Sequence, residues 1–139
     1  LSLKKQIIER FRLKSDYKLG LISDGDEVVQ QNKVEALGLS EFMDVELIVL
    51  TGKYGSEFFK PAPKAYLEIE KRTGCGQKEN VYIADNQKKD FITPNVLNWK
   101  SVLISMKGQI YSEYKPQNVN EKANYEINSM NELIGLKFE

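Results

Sequence analysis

"VYIADNQKKDF", residues 81 to 91, is the stretch on which the reading of this chain turns. Four residues of strand-like character, Val81 to Ala84, run straight into Asp85, and a second acid, Asp90, follows with Lys88 and Lys89 between. Two carboxylates at the end of a strand repel, and burying them is costly unless a cation or hydrogen bonds compensate. The same kind of junction occurs elsewhere. "KLGLIS" (18–23) is a compact apolar run that ends at Ser23 and a "DG" turn signal, and "VELIVL" (45–50) and "SVLIS" (101–105) read as further strands. "DEVVQQNKVEAL" (26–37) reads as a helix closed by Gly38, and "PKAYLEIEKRT" (63–73) as a helix ended by Gly74. Leu3, Ile7, Ile8 and Phe11 recur at helical spacing, predicting an amphipathic helix over 2–13. Residues 107 to 124 are polar and read as a surface connection, followed by a short strand "YEIN" and a small helix "MNELIGL". Strands alternating with helices predict an α/β fold, doubly wound, with a mostly parallel sheet.

Composition bounds what such a fold can do. The 139 residues are 41% hydrophobic, enough for one domain core and too little for two comfortable ones. Lys plus Arg equals Asp plus Glu at 20 each, so no global basic surface suggests nucleic acid or a membrane as partner. No apolar run approaches the roughly 20 residues of a membrane span. The first residues, "LSLKKQIIERF", carry charge throughout and lack the apolar core of a signal peptide. The single cysteine, Cys75, excludes an internal disulfide, which fits a reducing compartment and a cytoplasmic location. Histidine is absent, which removes Ser-His-Asp and Cys-His nucleophile pairs and makes a four-ligand zinc site untenable. A metal here would be held by oxygens, favouring Mg2+, Mn2+ or Ca2+.

In parallel sheets, ligands collect at the carboxyl ends of strands. Ser23 and Asp85 stand at such ends, and Lys60 lies in the loop after another, "TGKYGSEFFKPAP". Phosphoryl transfer needs this set: carboxylates for a cation, a hydroxyl and a Lys for phosphate oxygens, and fixed donors for developing charge. Asp85 and Asp90 can supply the carboxylates. Ser23 and the backbone N–H groups of Asp24 and Gly25, at the start of a helix, can donate to phosphate. Pro61 biases Lys60 away from helix and fixes an extended loop that would aim a cation inward.

Ser at a strand end, Lys-Pro in a loop, then a strand with Asp-x4-Asp follow the order of motifs II, III and IV in the haloacid dehalogenase (HAD) superfamily. "KLGLISDGDEVVQQNKVEALGL" resembles the segment around motif II, "FFKPAPKAY" motif III, and "VYIADNQKKDF" motif IV, with Ala84 in place of the usual Gly. "TPNVLNWKSVLI" is similar to the family's run into its next strand, so the resemblance covers most of residues 10 to 105. A receiver domain uses similar residue types, but there the acid pair precedes the Ser/Thr and Lys. The resemblance implies a HAD-like Rossmannoid core and an Mg2+-dependent phosphohydrolase of a small phosphorylated molecule, in which an Asp attacks phosphorus and water then cleaves the aspartyl-phosphate. It implies that Ser23, Asp24, Gly25 and Lys60 bind substrate, that Lys60 and Asp85 serve catalysis, and that Asp85 and Asp90 hold Mg2+.

The family's nucleophile lies in a DxD motif at the end of the first, central strand. That motif is absent: only "SDGD" (23–26) has an Asp-x-Asp, and it already serves as motif II. Residues 1–139 therefore resemble the C-terminal part of a HAD core without a cap domain, its nucleophile strand supplied by an N-terminal segment, and inactive alone. Leu1, not being Met, fits a fragment or processed chain. The resemblance puts that strand between the ones ending at Ser23 and Asp85. An added segment, direct pairing of those two strands, or exchange with a second copy could relieve the gap, and the added segment is the expectation. The alternative is a non-catalytic HAD-like domain for phosphate-ligand binding or protein interaction. Each residue also has an ordinary reading: Ser23 as a helix N-cap, Lys60 as a solvated loop cation, Asp85 and Asp90 as cap and surface residues.

Overall fold

The computed structural model describes residues 17–41, 43–105 and 115–136. The amphipathic helix expected over 2–13 lies outside them, as does most of the first half of the polar 107–124 stretch. The chain divides into two compact units, one ending at Gly74 and one beginning at Cys75.

In the first unit, β1 (Leu21–Ser23) pairs in parallel with β2 (Ile48–Leu50), with Ile22 opposite Val49. Between them runs α1 (Glu27–Ala36). Its cap is Asp26, whose carboxylate accepts from the Val29 N–H at 3.1 Å, so Ser23 is not the helix cap. Gly38 follows the helix with φ 61°, the left-handed region in which the missing Cβ removes the penalty. "VELIVL", expected as a strand throughout, is strand only over its second half. Val45–Leu47 form a 3₁₀ turn. Val45 and Glu46 are exposed and only Leu47 is buried, and a run this short carries no periodicity that separates a turn from a strand. α2 (Lys64–Thr73) ends at Gly74 as the sequence predicts, with φ 70°. The core consists of Ile22, Val34, Leu47, Val49, Leu50, Ala65 and Tyr66. Full burial of a Val such as Val49 contributes roughly 1.5–3 kcal/mol.

Arg72, near the end of α2, ties this helix to the 45–47 turn. Its Nη1 donates to the Glu46 carbonyl at 2.6 Å, Nε to Glu68 Oε1 at 2.9 Å, and Nη2 to the Tyr54 hydroxyl at 3.3 Å. The Tyr54 hydrogen bond above all, then Glu68, holds the guanidinium pKa above its ordinary value against the opposing effect of burial.

In the second unit, β3 (Val81–Ala84), β4 (Lys100–Ile104) and β5 (Tyr125–Ile127) form a parallel sheet in the order β3-β4-β5. β4 is central and its Ser101, Val102 and Leu103 are buried, as expected for a strand covered on both faces. A short helix unforeseen from the sequence, α3 (Ile92–Val96), precedes β4, with Pro94 within its first turn, where a missing N–H costs nothing. α4 (Met130–Gly135) follows β5. Parallel strands alternating with helices make this an α/β protein. β1 and β3, the strands that the resemblance sets on either side of the nucleophile strand, belong to different sheets and do not pair with each other.

Candidate functional site

At the carboxyl end of β1 the chain builds a socket around one carboxylate. Asp24 Oδ1 accepts from Thr51 Oγ1 at 2.8 Å, and Asp24 Oδ2 accepts from the Lys60 backbone N–H at 3.0 Å. The same Thr51 hydroxyl lies 3.2 Å from the Ser23 carbonyl. Thr51 is fully buried at the end of β2. One side chain thus fastens the loop after β1 to the loop after β2 and brings Lys60 to the Ser23 strand end. Hydrogen bonds to a charged acceptor are about twice as strong as neutral ones, which suits this role. The Lys60–Pro61 peptide is cis.

Ser23 Oγ donates to Gln30 Oε1 at 2.7 Å. A hydroxyl has one proton and two acceptor lone pairs. Donating to a phosphate oxygen would therefore require Ser23 to turn away from Gln30. Gly25 has φ 123°, a conformation that favours glycine. Its carbonyl approaches Gly52 so closely that a Cβ added to Gly52 would overlap the oxygen and lie 3.0 Å from the Glu27 nitrogen. The structure therefore assembles Ser23, Asp24, Gly25 and Lys60 with Thr51, Gly52 and Gln30. The last three escape sequence reading: a lone Thr after an apolar run has no signature, and Gln30 looks like any exposed helix position.

At the carboxyl end of β3, Asp85 is exposed and Asp90 is 4% exposed, five residues on. The turn between them is closed by Asn86. Its Oδ1 accepts from the Lys88 N–H at 3.0 Å, and its carbonyl accepts from the Asp90 N–H, also at 3.0 Å. Asn86 and Gln87 are buried and Phe91 is fully so, which anchors the turn into its unit. Asn86 is a further residue that the sequence did not single out; an Asn two residues before an N–H is an Asx-turn signal that could have found it. Asp90 is engaged by other contacts, yet its buried Oδ1 accepts no hydrogen bond. A buried carboxylate oxygen of this kind, with Asp85 at the mouth of the same turn, fits a hard, oxygen-seeking divalent cation. Among the described residues no group of three or more His, Cys, Asp and Glu gathers, so such an ion would keep several water ligands or take a further ligand from elsewhere. Among the same residues no helix is long and apolar enough to cross a membrane.

Comparison with known proteins gives the family of the chain. Residues 5–104 match the family model described as haloacid dehalogenase-like hydrolase. The chain is 31% identical over 118 residues to a glyceraldehyde 3-phosphate phosphatase of Methanopyrus kandleri, and 32% identical over 119 residues to one of Methanocaldococcus jannaschii. Those alignments take in 85% and 86% of this chain but 48% of each relative, so the chain spans about half the length of the curated relatives it matches. Among solved structures, a HAD phosphatase of Thermococcus onnurineus superposes with a TM-score of 0.75 at 25% identity, over 94% of this chain and 54% of the other. The HAD-hydrolase YfnB of Bacillus subtilis, bound to magnesium, superposes at 0.77 with 16% identity, over 97% and 54%. The motif order read from the sequence and the family match over residues 5–104 agree, and this chain belongs to the haloacid dehalogenase-like hydrolases.

Proposed function

We propose that this chain is the phosphate- and metal-holding part of a Mg2+-dependent HAD phosphohydrolase acting on a small phosphorylated molecule. The observation that carries the reading is the Asp24 socket. It fixes Lys60 beside the end of β1, where a hydroxyl and a glycine turn already stand. In this reading Ser23 and the N–H groups of Asp24 and Gly25 bind the phosphate oxygens, and the Lys60 ammonium neutralises charge on phosphate and nucleophile alike. Asp85 and Asp90 hold Mg2+. When bound, Mg2+ supplies positive charge that stabilises the phosphoryl group as its negative charge redistributes. The attacking carboxylate comes from a DxD-bearing segment not contained in these 139 residues, since the sequence offers only "SDGD" at 23–26. The relatives named glyceraldehyde 3-phosphate phosphatase support a small phosphorylated substrate, and the single cysteine supports a cytoplasmic setting.

The test is turnover of p-nitrophenyl phosphate with Mg2+. The purified chain should show none. Joined to an encoded upstream segment carrying DxD, it should become active, and Asp85→Asn should then reduce the rate by roughly a thousandfold or more. Robust turnover by the chain alone, abolished by Asp85→Asn, would show that the nucleophile lies within it. Inactivity even with that segment would favour a non-catalytic phosphate-binding domain.

A further inference from the structure

Gln30 stands in α1 with its side chain reaching back over the turn that follows β1. Its backbone N–H donates to the Asp26 carbonyl at 3.0 Å, and Asp26 in turn caps the helix by accepting from Val29, so the first turn of α1 holds the Gln30 backbone in place. A helical side chain leans toward the N-terminus of its helix, which aims this one at the Ser23–Gly25 loop. At its tip, Oε1 accepts from the Ser23 hydroxyl at 2.7 Å, while Nε2 lies over Gly25, 2.9 Å from where a Cβ on that glycine would stand. Among the described residues Nε2 has no acceptor.

This arrangement directs the Ser23 proton away from an incoming anion. A hydroxyl has one proton and two lone pairs, and the Ser23 proton is engaged by Gln30. An anion brings only acceptors, so it would meet a lone pair. Two movements free the proton. In one, the Ser23 side chain rotates and carries its oxygen away, which loses a part-buried hydrogen bond. The Ser23 backbone cannot shift to recover it, because its carbonyl is held by Thr51 Oγ1 at 3.2 Å. In the other, the Gln30 amide turns through half a circle. The two ends of an amide are nearly alike in size and shape, so Nε2 takes the place of Oε1 and donates to Ser23 Oγ. The oxygen stays where it is and only its proton swings to the anion. The Ser23–Gln30 hydrogen bond survives with its direction reversed, and no acceptor of Nε2 is given up. A hydroxyl that accepts from an N–H is also a stronger donor, since hydrogen bonds in a chain polarise one another. The second movement therefore costs less than the first.

We propose, building on the phosphatase reading, that Gln30 is a positioning residue of the phosphate site. Its side-chain amide reverses as the anion arrives, so that Nε2 donates to Ser23 Oγ and Ser23 donates its proton to a phosphate oxygen. Gln30 acts through Ser23 and does not itself touch the anion. The position calls for a group that accepts in one state and donates in the other, which an amide does. A carboxylate of the same length only accepts, and an aliphatic side chain does neither.

The experiment titrates the full chain with inorganic phosphate, against sodium chloride at matched ionic strength, and follows backbone and side-chain amides by NMR. The unaltered chain should show saturable shifts at residues 23–25 and, with the same midpoint, a downfield shift of one Gln30 Nε2 proton as it gains an acceptor. Ser23→Ala and Gln30→Leu should each weaken phosphate binding about fivefold, the size of one hydrogen bond. The double variant should bind no more weakly than Ser23→Ala alone, because a residue that works through Ser23 then has nothing to act on. Gln30→Glu should weaken binding more than Gln30→Leu, since it keeps the Ser23 proton and adds a negative charge. Leu favours helix, so Gln30→Leu should preserve α1. If it does not fold, the Gln30 Nε2 resonance of the unaltered chain decides. The role of Gln30 is overturned, with the phosphate site intact, if Ser23→Ala weakens binding and Gln30→Leu does not, if the two effects add, or if the Nε2 protons stay unmoved while residues 23–25 shift. An absence of saturable shifts at 23–25, or a Ser23→Ala chain that binds as the unaltered one does, overturns the phosphate site itself and the role of Gln30 with it.

Discussion

The turns after β1 and after β3 hold the same place in their respective sheets, each at the carboxyl end of a parallel strand, yet they are stabilised by opposite means. After β1, an acid is consumed internally. Both oxygens of Asp24 accept hydrogen bonds, from Thr51 and from the Lys60 backbone, and Asp26 caps the helix that follows. After β3, an amide does the structural work. Asn86 closes the turn while Asp85 stays exposed and an oxygen of Asp90 stays without a hydrogen bond. The first turn has both oxygens of its carboxylate satisfied within the protein, and in the proposed reading the Ser23 hydroxyl has to turn, away from Gln30, to meet an anion. In the proposed reading the second takes a cation beside Asp85 and Asp90. On that reading preorganisation lies mainly on the phosphate side, and ligand-dependent stability on the metal side.

The sharpest way to break this contrast is at Gly52. A Cβ there meets the Gly25 carbonyl and the Glu27 nitrogen, both backbone atoms that cannot swing aside. Gly52→Ala should cost about 3 kcal/mol in urea unfolding, at the upper end of overpacking. A cost near zero would mean that the β1 turn is looser than described. Asp24→Ala comes next. It strips partners from Thr51 Oγ1 and the Lys60 N–H, and should lower stability by about 2 kcal/mol. In the active assembly it should also raise KM through displacement of Lys60. If stability falls and KM does not move, Asp24 holds the fold without positioning the site.

On the other side of the comparison, Asn86→Ala should cost about 1 kcal/mol, since it removes one part-buried side-chain bond from a turn that keeps its backbone bonds. The smallest effect expected is that of the metal. Millimolar Mg2+ should stabilise the chain by less than about 1 kcal/mol, because Mg2+ dehydrates reluctantly and only two carboxylates are offered. Calorimetry should show this weak binding vanish in Asp85→Ala and Asp90→Ala. Tight binding that survives both substitutions would overturn the metal assignment.

How far the sequence reveals this molecule depends on the kind of signal involved. Gly38 and Gly74 end helices where they were expected to, because a left-handed residue after a helix is a local requirement that one residue type meets cheaply. β3 and β4 were legible as apolar runs bounded by turns. The 3₁₀ turn at Val45–Leu47 and the helix at Ile92–Val96 were not. In the first, three residues are too few to show a period, and in the second, "ITPNV" reads as a loop because of its Pro. Ser23, Lys60, Asp85 and Asp90 could be singled out by their order along the chain. Thr51, Gly52 and Gln30 could not, since their importance lies in contacts with residues outside their own segment or in a close backbone approach, neither of which leaves a local pattern, whereas Asn86 carries a local Asx-turn signal that was open to reading.

The Arg72 bridge to the Glu46 carbonyl has a consequence for solubility. Among the described residues β2 has a strand partner on one side only, β1, and "VELIVL" is a β-prone run, with Glu46 its one charge, of the kind that stacks into aggregates when its edge is open. By taking the Glu46 carbonyl and helping to hold Val45–Leu47 as a 3₁₀ turn, Arg72 halves the length of ribbon that an incoming chain could extend. An Arg72→Ala protein should therefore fail first by self-association at high concentration, with the rate of light scattering rising before any loss of helix is seen.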